Sequence, residues 1–373
     1  MRLVRPQLWV AWPRGRLPWP CEHRPTPASS VGEHGQPPND GAGKRRAAHA
    51  TPVTEALLIL LLAMAALAGG CVQPPAPCPA RHVPLEALAA EHNANAAKAP
   101  RLWARARIAF QMTDARGRRI AWGSTLPPSN ALLMLDKRDG GGLDFVLSGK
   151  ELGTDLFRLG LDADAGLYYV WYGLGEHGGA WYGRTALAGA PGVQAAPIDP
   201  MQLVSILGVT ELPENWRHET PTLLMTLDSQ PCAYVVRYVA PQPMTGELKI
   251  WREVFYHWGE GPRRPFRVRL YDADGRMRMQ AELADYRPIA WLGAPEQAPV
   301  MPTDFRMVWP AIPGVQPEAH LHMALGEMTT TKVLPPGGRV FKFWPNLPTS
   351  AGQPTQVDAE YGRIEPDSRQ PAP

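Results

Sequence analysis

Alternation of apolar and polar residues with a period of two dominates the sequence after its first hundred residues. In residues 102–112, for example, small and apolar side chains such as Ile108 and Phe110 alternate with polar ones such as Arg105. This alternation is typical of a β-strand with one buried face. A turn, Asp-Ala-Arg-Gly, then leads to residues 118–124. The two segments therefore predict a β-hairpin.

Further short strands are predicted along the rest of the chain, separated by turns rich in Gly, Pro and Asp. They are residues 131–136, 143–148, 156–161, 167–172, 180–184, 223–227, 232–239, 249–257, 266–271, 277–286, 305–309 and 320–330. Regular short strands with turns between them indicate a large antiparallel sheet rather than an alternating parallel α/β plan. The predicted fold class is therefore mainly β, of the α+β type.

Two helices are predicted beside the strands. Residues 84–97 have helical composition, and their apolar residues recur at helical spacing on one stripe. The second helix is short and apolar, at residues 201–207. Asp199 can cap it, Pro200 suits its first position, and Gly208 suits the position just past its end. A helix so short and apolar must pack on the mouth or face of the sheet.

An uninterrupted apolar run of 13 residues, 56–68, lies upstream of these elements. It is shorter than the ~20 residues that a membrane-spanning helix needs, and it matches the ~7–15 residues of a secretory signal h-region. Basic residues at 44–46 precede it, and small residues followed by Cys71 come after it. The segment resembles the lipobox of bacterial lipoproteins, in which the cysteine receives a diacylglycerol and becomes the first mature residue. A buried apolar helix followed by a chance cysteine is the alternative.

Composition sets the first part of the chain apart from the rest. Residues 1–50 are rich in Arg, Pro and Gly and have no periodic apolar pattern. The whole chain has a formal charge of +3, but residues 1–70 contain eight Lys/Arg and four Asp/Glu. The remainder has 30 positive and 31 negative side chains, a net charge of −1. A near-neutral mature domain gives no electrostatic reason to expect nucleic acid as a partner.

These patterns divide the chain into five predicted segments. They are a disordered or misassigned leader at 1–52, a lipoprotein signal peptide at 53–70, a Pro-rich tether at 71–83, a folded domain at 84–345 and a disordered tail at 346–373.

The four cysteines have different predicted fates. Cys21 would be lost with the leader, and Cys71 would be lipidated. Cys78 and Cys232 could pair in an oxidising envelope or remain two unpaired thiols, and the sequence leaves both outcomes open. There is no CxxC motif, which argues against a zinc site built from cysteines.

No group of residues in the sequence has the spacing that is typical of a catalytic site. The Asp-rich turns at Asp162 and Asp272 lack the glutamate that an EF-hand loop needs at its twelfth position, and hairpin turns explain them better. His320 and His322 share a strand face, but no third ligand is tied to them by spacing. Ser205 lacks the glycine pattern of a nucleophile elbow. We therefore predict no catalytic residue, no metal site and no cofactor.

The order of these features resembles the LolA/LolB lipoprotein-carrier superfamily over residues 84–332. The similar stretches are HNANAA at 92–97 leading into RLWARARIAF, IDPMQLVSILG at 198–208, and VRLYDADGRMRMQAELADYR at 268–287. The resemblance implies a half-open barrel with an N-terminal helix and short lid helices over a hydrophobic cavity that holds lipid chains. We expect a lipid anchor at Cys71 to hold the protein in the outer membrane, facing the periplasm, because the residue after this cysteine is Val72 and not the Asp that signals inner-membrane retention.

Alternation places a set of apolar residues on matching strand faces, where they are candidates to line such a cavity: Ile108, Phe110, Ile120, Trp122, Phe145, Val268 and Leu270. An ordinary sheet core explains the same pattern equally well. The predicted function is a membrane-anchored envelope lipoprotein that binds lipid or an acylated protein in its cavity. One alternative is an envelope sensor or protein-interaction module with the same fold and an envelope protein partner. A hydrolase of lipids or glycans is a third possibility.

Overall fold

The computed structural model describes most of the chain from residue 78 onwards. The described residues are 78, 82–113, 119–122, 129–139, 141–151, 154–173, 179–188, 193, 199–213, 215–216, 221–229, 231–242, 246–259, 261–313, 316–347 and 353–364. All of them belong to one compact unit, residues 75–373. The predicted leader, the signal peptide and Cys71 lie outside the described residues.

The described part contains two α-helices and seventeen β-strands. The helices are α1, Leu85–Ala96, and α2, Pro200–Ile206. The strands are β1 Arg101–Thr113, β2 Arg119–Trp122, β3 Ser129–Lys137, β4 Leu143–Glu151, β5 Thr154–Asp162, β6 Leu167–Tyr172, β7 Gly179–Arg184, β8 Thr222–Ser229, β9 Cys232–Pro241, β10 Leu248–His257, β11 Pro265–Tyr271, β12 Met277–Ala284, β13 Arg287–Pro288, β14 Val300–Met301, β15 Asp304–Trp309, β16 Ala319–Thr329 and β17 Thr355–Gln356.

Fifteen of the strands form one sheet. Their order is β17-β7-β6-β5-β4-β3-β1-β16-β15-β12-β11-β10-β9-β8, and β2 pairs with the end of β1. Neighbours are antiparallel except for β17, which runs parallel to β7. The sheet is curved and does not close, because its path ends at β17 and at β8. The prediction of a large antiparallel sheet curved into a half-open barrel is thus confirmed.

Strand β1 illustrates how the sequence assigns the two faces of the sheet. Its even-numbered residues are buried on the concave side: Leu102, Ala104, Ala106, Ile108 and Phe110. Arg105 and Arg107 alternate with them and are exposed. The buried set joins a core that also includes side chains of α1 and α2. The main core therefore lies between the concave face and the two helices.

The convex face of the first strands is also covered, by residues 334–347. Phe341 packs in a cluster with Met134 and Val146 of β3 and β4. Phe343 stacks on Tyr169 of β6 with their ring centroids 5.2 Å apart. Strands in this half of the sheet are consequently buried on both faces.

The tail differs from the prediction of disorder after residue 345. In residues 353–364, β17 pairs with β7, and Asp358 is fully buried. The Asp358 carboxylate accepts a hydrogen bond of 2.8 Å from the backbone N–H of Arg184. A buried carboxylate that is satisfied in this way holds the segment against the edge of the sheet. The polar, Pro-rich composition of this segment gave no indication of these contacts.

Cys78 and Cys232 form a disulfide with a Cα–Cα distance of 5.6 Å. Cys232 is the first residue of β9, directly after the hairpin turn from β8. Of the two outcomes that the sequence left open, the structure has the paired one. The bond ties the segment that precedes α1 to the edge hairpin of the sheet.

Candidate functional site

The concave face of the sheet carries a row of buried apolar residues that crosses five strands. Residues that lie opposite one another on neighbouring strands share a face, so the strand register defines rows across the sheet. One row, which we call the apolar row, crosses β11, β12, β15, β16 and β1 through Val268, Ala281, Met307, Leu321 and Phe110. None of these five residues is more than 6% exposed. The row forms a strip of hydrocarbon five strands wide.

Four of the seven cavity residues predicted from the sequence are buried in this core: Ile108, Phe110, Phe145 and Val268. Leu270 packs against the edge of the core and is partly exposed. Ile120 and Trp122 belong to β2, and their side chains lie outside the described residues. Val268 also lines a small cleft, and the role of all four side chains in lining a lipid cavity remains a prediction.

A segment that we call the plug, residues 199–212, packs on the concave face. Asp199 caps α2 by accepting a hydrogen bond of 2.8 Å from the backbone N–H of Met201, and Pro200 occupies the first turn, as predicted. Gly208 follows the helix with a φ of +72°, a conformation that favours glycine. The plug contributes six buried apolar side chains to the core: Leu203, Val204, Ile206, Leu207, Val209 and Leu212.

Side-chain hydrogen bonds fasten the plug to its surroundings at a few points. Asn93 of α1 clamps Leu212 in both directions, since its Nδ2 donates to the backbone carbonyl at 2.9 Å and its Oδ1 accepts from the backbone N–H at 2.8 Å. Trp309 Nε1 donates to Gln202 Oε1 at 3.0 Å. Two further polar contacts, of His92 with the Thr210 carbonyl and of Lys137 with Glu211, also hold the plug, and apolar packing supplies the remainder.

Asn95 forms a matching pair of hydrogen bonds outside the plug. Its Nδ2 donates to the carbonyl of Val300, and its Oδ1 accepts from the Val300 N–H, both at 2.9 Å. Lys137 Nζ donates to the carbonyl of Ala96 at 2.8 Å, at the helix end where a cation is favourable. The polar residues of the HNANAA stretch thus connect α1 to two separate parts of the protein.

A cleft opens where α1, the plug and strands β9 to β11 meet. It holds about 280 Å³ of empty space, part of which is open to solvent. Only about 10 Å³ of this space can hold the centre of a water-sized molecule, which is roughly enough for one water, so a larger group enters only when the walls of the cleft move apart. Its walls combine apolar and polar residues, among them Ile206, Val254, Val268, His92, Arg252 and Tyr256.

His92 contributes a neutral ring to the cleft. Its Nε2 lies 2.9 Å from the carbonyl oxygen of Thr210, which can only accept, so Nε2 carries the hydrogen. The other nitrogen, Nδ1, therefore accepts from the hydroxyl of Tyr256 at 3.3 Å. Burial lowers the pKa of His92, and the positive charge of Arg252 lowers it further.

Arg252 supplies the positive charge of the cleft. Its guanidinium carbon lies 3.6 Å from the centroid of the Tyr238 ring, which is the geometry of a cation–π contact. Sequence reasoning did not select this residue. Its even spacing from Val254 and Tyr256 indicates that the three side chains share one face of β10. A β-bulge between Ile250 and Arg252 interrupts the alternation at that point and obscures this pattern in the sequence.

Other candidates from the sequence form ordinary structural contacts. His320 Nε2 lies 2.7 Å from Glu318, and His322 Nε2 lies 2.6 Å from Asp304. Asp272 accepts backbone hydrogen bonds within its own hairpin turn. Among the described residues, no group of three His, Cys, Asp or Glu side chains is arranged to hold a metal ion. No helix of the described part has the length and apolar character needed to cross a membrane.

Comparison of the fold with solved structures gives several distant likenesses. One is an outer membrane lipoprotein-sorting protein domain from Vibrio parahaemolyticus, 12% identical, with a TM-score of 0.39 over 69% of this chain and 98% of that chain. Another is a LolA superfamily protein from Nitrosomonas europaea, 10% identical, with a TM-score of 0.38 over 70% of this chain and 99% of that chain. A third is a DUF1329 family protein from Desulfovibrio piger, 10% identical, with a TM-score of 0.38 over 67% and 93% of the two chains.

Comparison by sequence gives no match. No protein-family model matches this chain, and no curated protein does. With identities of 10–12% and TM-scores of 0.38–0.39, the solved structures do not assign the chain to a family. The half-barrel architecture rests on the strand pairing of this chain itself.

Proposed function

We propose that this chain is a lipoprotein of the outer membrane that binds lipid, or the acyl chains of an acylated protein, on the concave face of its half-barrel. The apolar row from Val268 to Phe110 is the observation that carries the proposal, because it belongs to the same buried core as the apolar side chains of the short plug. A ligand that displaces the plug gains access to the row without unfolding the strands.

Burial of an acyl chain can offset the hydrogen bonds that hold the plug. Each methylene group that an acyl chain buries contributes about 0.8 kcal/mol. Each hydrogen bond that holds the plug contributes a net ~0.5–1.5 kcal/mol. An acyl chain that takes over the apolar contacts of the plug therefore offsets the loss of the clamp at Asn93.

The cysteines support a location in the envelope. The disulfide between Cys78 and Cys232 is a bond of oxidising compartments, which in bacteria include the periplasm. Cys71, with its upstream apolar run, is the proposed site of lipidation, and the Pro-rich residues after it would hold the domain away from the bilayer. Stable anchoring needs more than one acyl chain, as a lipidated amino-terminal cysteine provides.

The clamp at Asn93 gives a test of the proposal. Asn93→Ala removes both hydrogen bonds to Leu212, so it should weaken the plug and increase the fraction of protein with an open concave face. We expect the affinity for a neutral apolar dye, such as 1-N-phenylnaphthylamine, to rise roughly tenfold, which corresponds to about 1.4 kcal/mol. Fluorescence titration of the purified Cys71→Ser chain, with and without Asn93→Ala, measures this.

Asn95→Ala is the matched control. It removes the same two kinds of hydrogen bond from the same helix, but their partner is Val300 rather than the plug. We expect a similar loss of thermal stability and no gain in dye affinity. If Asn93→Ala and Asn95→Ala change dye binding equally, or if none of the proteins binds dye, the plug does not guard a ligand site.

A further inference from the structure

Arg252 lies at one end of the concave face, beside the start of the apolar row. Along β10 it shares the inner side of the strand with Val254 and Tyr256, both of which belong to the core. The register places it opposite Leu270 of β11 and Tyr238 of β9. Val268, where the apolar row begins, lines the same cleft. A charged group and a hydrocarbon strip are thus adjacent.

No described residue supplies an anionic partner for the guanidinium of Arg252. Its Nε is buried without a hydrogen-bond partner, and within the described part of the chain Arg252 takes part in no ion pair. Three nearby arginines have carboxylate partners, namely Arg237 with Glu253, Arg263 with Glu91 and Arg267 with Glu282, whereas Arg269 bonds the neutral side chain of Gln280. Among the described residues Arg252 has the cation–π contact with Tyr238 but no hydrogen bond or ion pair, so an anionic ligand would supply the partner that its N–H groups lack.

The chemistry of the cleft selects the kind of ligand. A guanidinium can bind a carboxylate or phosphate through two parallel hydrogen bonds. Tyr256 already donates to His92, and His92 donates to Thr210, so these groups shape the cleft without adding charge. The apolar walls that the strands supply at Val254 and Val268 remain when the plug is displaced, and they suit a hydrocarbon chain rather than a second polar group.

We propose that Arg252 binds the oxyanion headgroup of an amphiphile, a carboxylate or a phosphate, whose acyl chain lies along the apolar row. This inference rests on the proposed function and adds a charge requirement to it. An acid should then bind more tightly than a neutral amphiphile with the same chain. An anion without a chain should bind weakly, because it gains nothing from the row.

The test compares laurate, dodecyl phosphate and dodecanol by isothermal titration calorimetry, with acetate and inorganic phosphate as chain-free anions. With the Cys71→Ser chain we expect at least one of the two amphiphilic anions to bind tenfold or more tightly than dodecanol, and neither small anion to bind at matched concentrations. The stronger of the two identifies the headgroup. Arg252→Met keeps an unbranched apolar side chain and removes the charge, so it should bind the acids and the alcohol equally.

A second pair of variants keeps the test independent of folding. Leu270→Glu puts a carboxylate directly opposite Arg252 on the neighbouring strand, where the two side chains are close enough to pair. This internal anion should compete with the ligand and lower anion affinity tenfold or more. Leu270→Gln changes the same side chain without a charge, so the difference between Glu and Gln isolates the competition. Arg252→Met loses the cation–π contact with Tyr238 and also removes a partly buried cation that has no ion pair among the described residues, so we expect its melting temperature to stay within a few degrees of that of the parent protein.

The possible failures are distinguishable. If dodecanol binds as tightly as the anions, or if Arg252→Met keeps a tenfold preference for the anions, the headgroup assignment is wrong while the proposed lipid-binding function stands. If acetate or phosphate alone binds as well as the amphiphiles, the site is an anion site without a chain channel. If no amphiphile binds at all, the proposed function fails together with this inference.

Discussion

Asp199 caps α2 with a carboxyl group that its surroundings desolvate. Burial raises the pKa of this carboxyl to about 6, although the N–H groups of Met201 and Gln202 and the charge of Arg278 favour the ionised form. In the unfolded chain the pKa of aspartate is about 3.9. Between these values the folded protein binds more protons than the unfolded chain. The contribution of Asp199 to stability is therefore greatest below about pH 4 and falls as the pH rises to about 6.

Asp199→Asn should remove this pH dependence, because asparagine caps a helix equally well and does not titrate. We expect the free energy of unfolding of the parent protein, relative to the variant, to fall by about 1–3 kcal/mol between pH 4 and pH 7. Urea unfolding of both proteins at several pH values measures the difference. A difference that stays constant over this range would mean that the carboxyl is not desolvated.

At the scale of elements, alternation predicted most of the long strands because it reports burial on one face. It did not reveal which strands are buried on both faces. In β6, Tyr168 faces the main core whereas Tyr169 faces Phe343, so the apparent aromatic cluster of this strand serves two separate cores. The short β17 was missed because parallel pairing with β7 depends on contacts such as that of Asp358 with Arg184.

The candidate site was predictable only in its apolar part. Ile108, Phe110 and Val268 follow from alternation, since hydrophobic faces must turn inward. The polar rim depends on contacts between segments that are distant in the chain. Asn93, for instance, bonds a residue 119 positions away. Spacing along one helix or strand carries no information about such a partner.

The disulfide connects two elements that are 154 residues apart, and its loss should be measurable. Cross-linking restricts the unfolded chain, and removing a native disulfide typically costs about 2–5 kcal/mol. We expect replacement of Cys78 and Cys232 by serine to lower the free energy of unfolding by that amount. Chemical denaturation should show it, and a reducing agent should produce the same loss in the Cys71→Ser chain. Equal stability in oxidised and reduced protein would contradict a bond between these elements.

At the scale of the whole molecule, the concave face is assembled from distant parts of the chain. β1 pairs with β16 in the middle of the sheet, joining Ala106 to Leu325. The apolar row crosses this junction and continues to β11. A ligand that binds the folded protein alone stabilises it by mass action. Because the row exists only in the folded domain, we expect ligand binding and thermal stability to rise together.

The most direct test of the lipid-binding claim is native mass spectrometry of the Cys71→Ser chain, purified from the cell envelope without detergent. The substitution removes the proposed site of covalent acylation, so mass that is lost on denaturation belongs to a non-covalently bound molecule. We predict a mass increment that matches an acyl lipid and disappears in the denatured spectrum. A native spectrum with only the mass of the bare chain, from protein that also binds no apolar dye, would contradict the account.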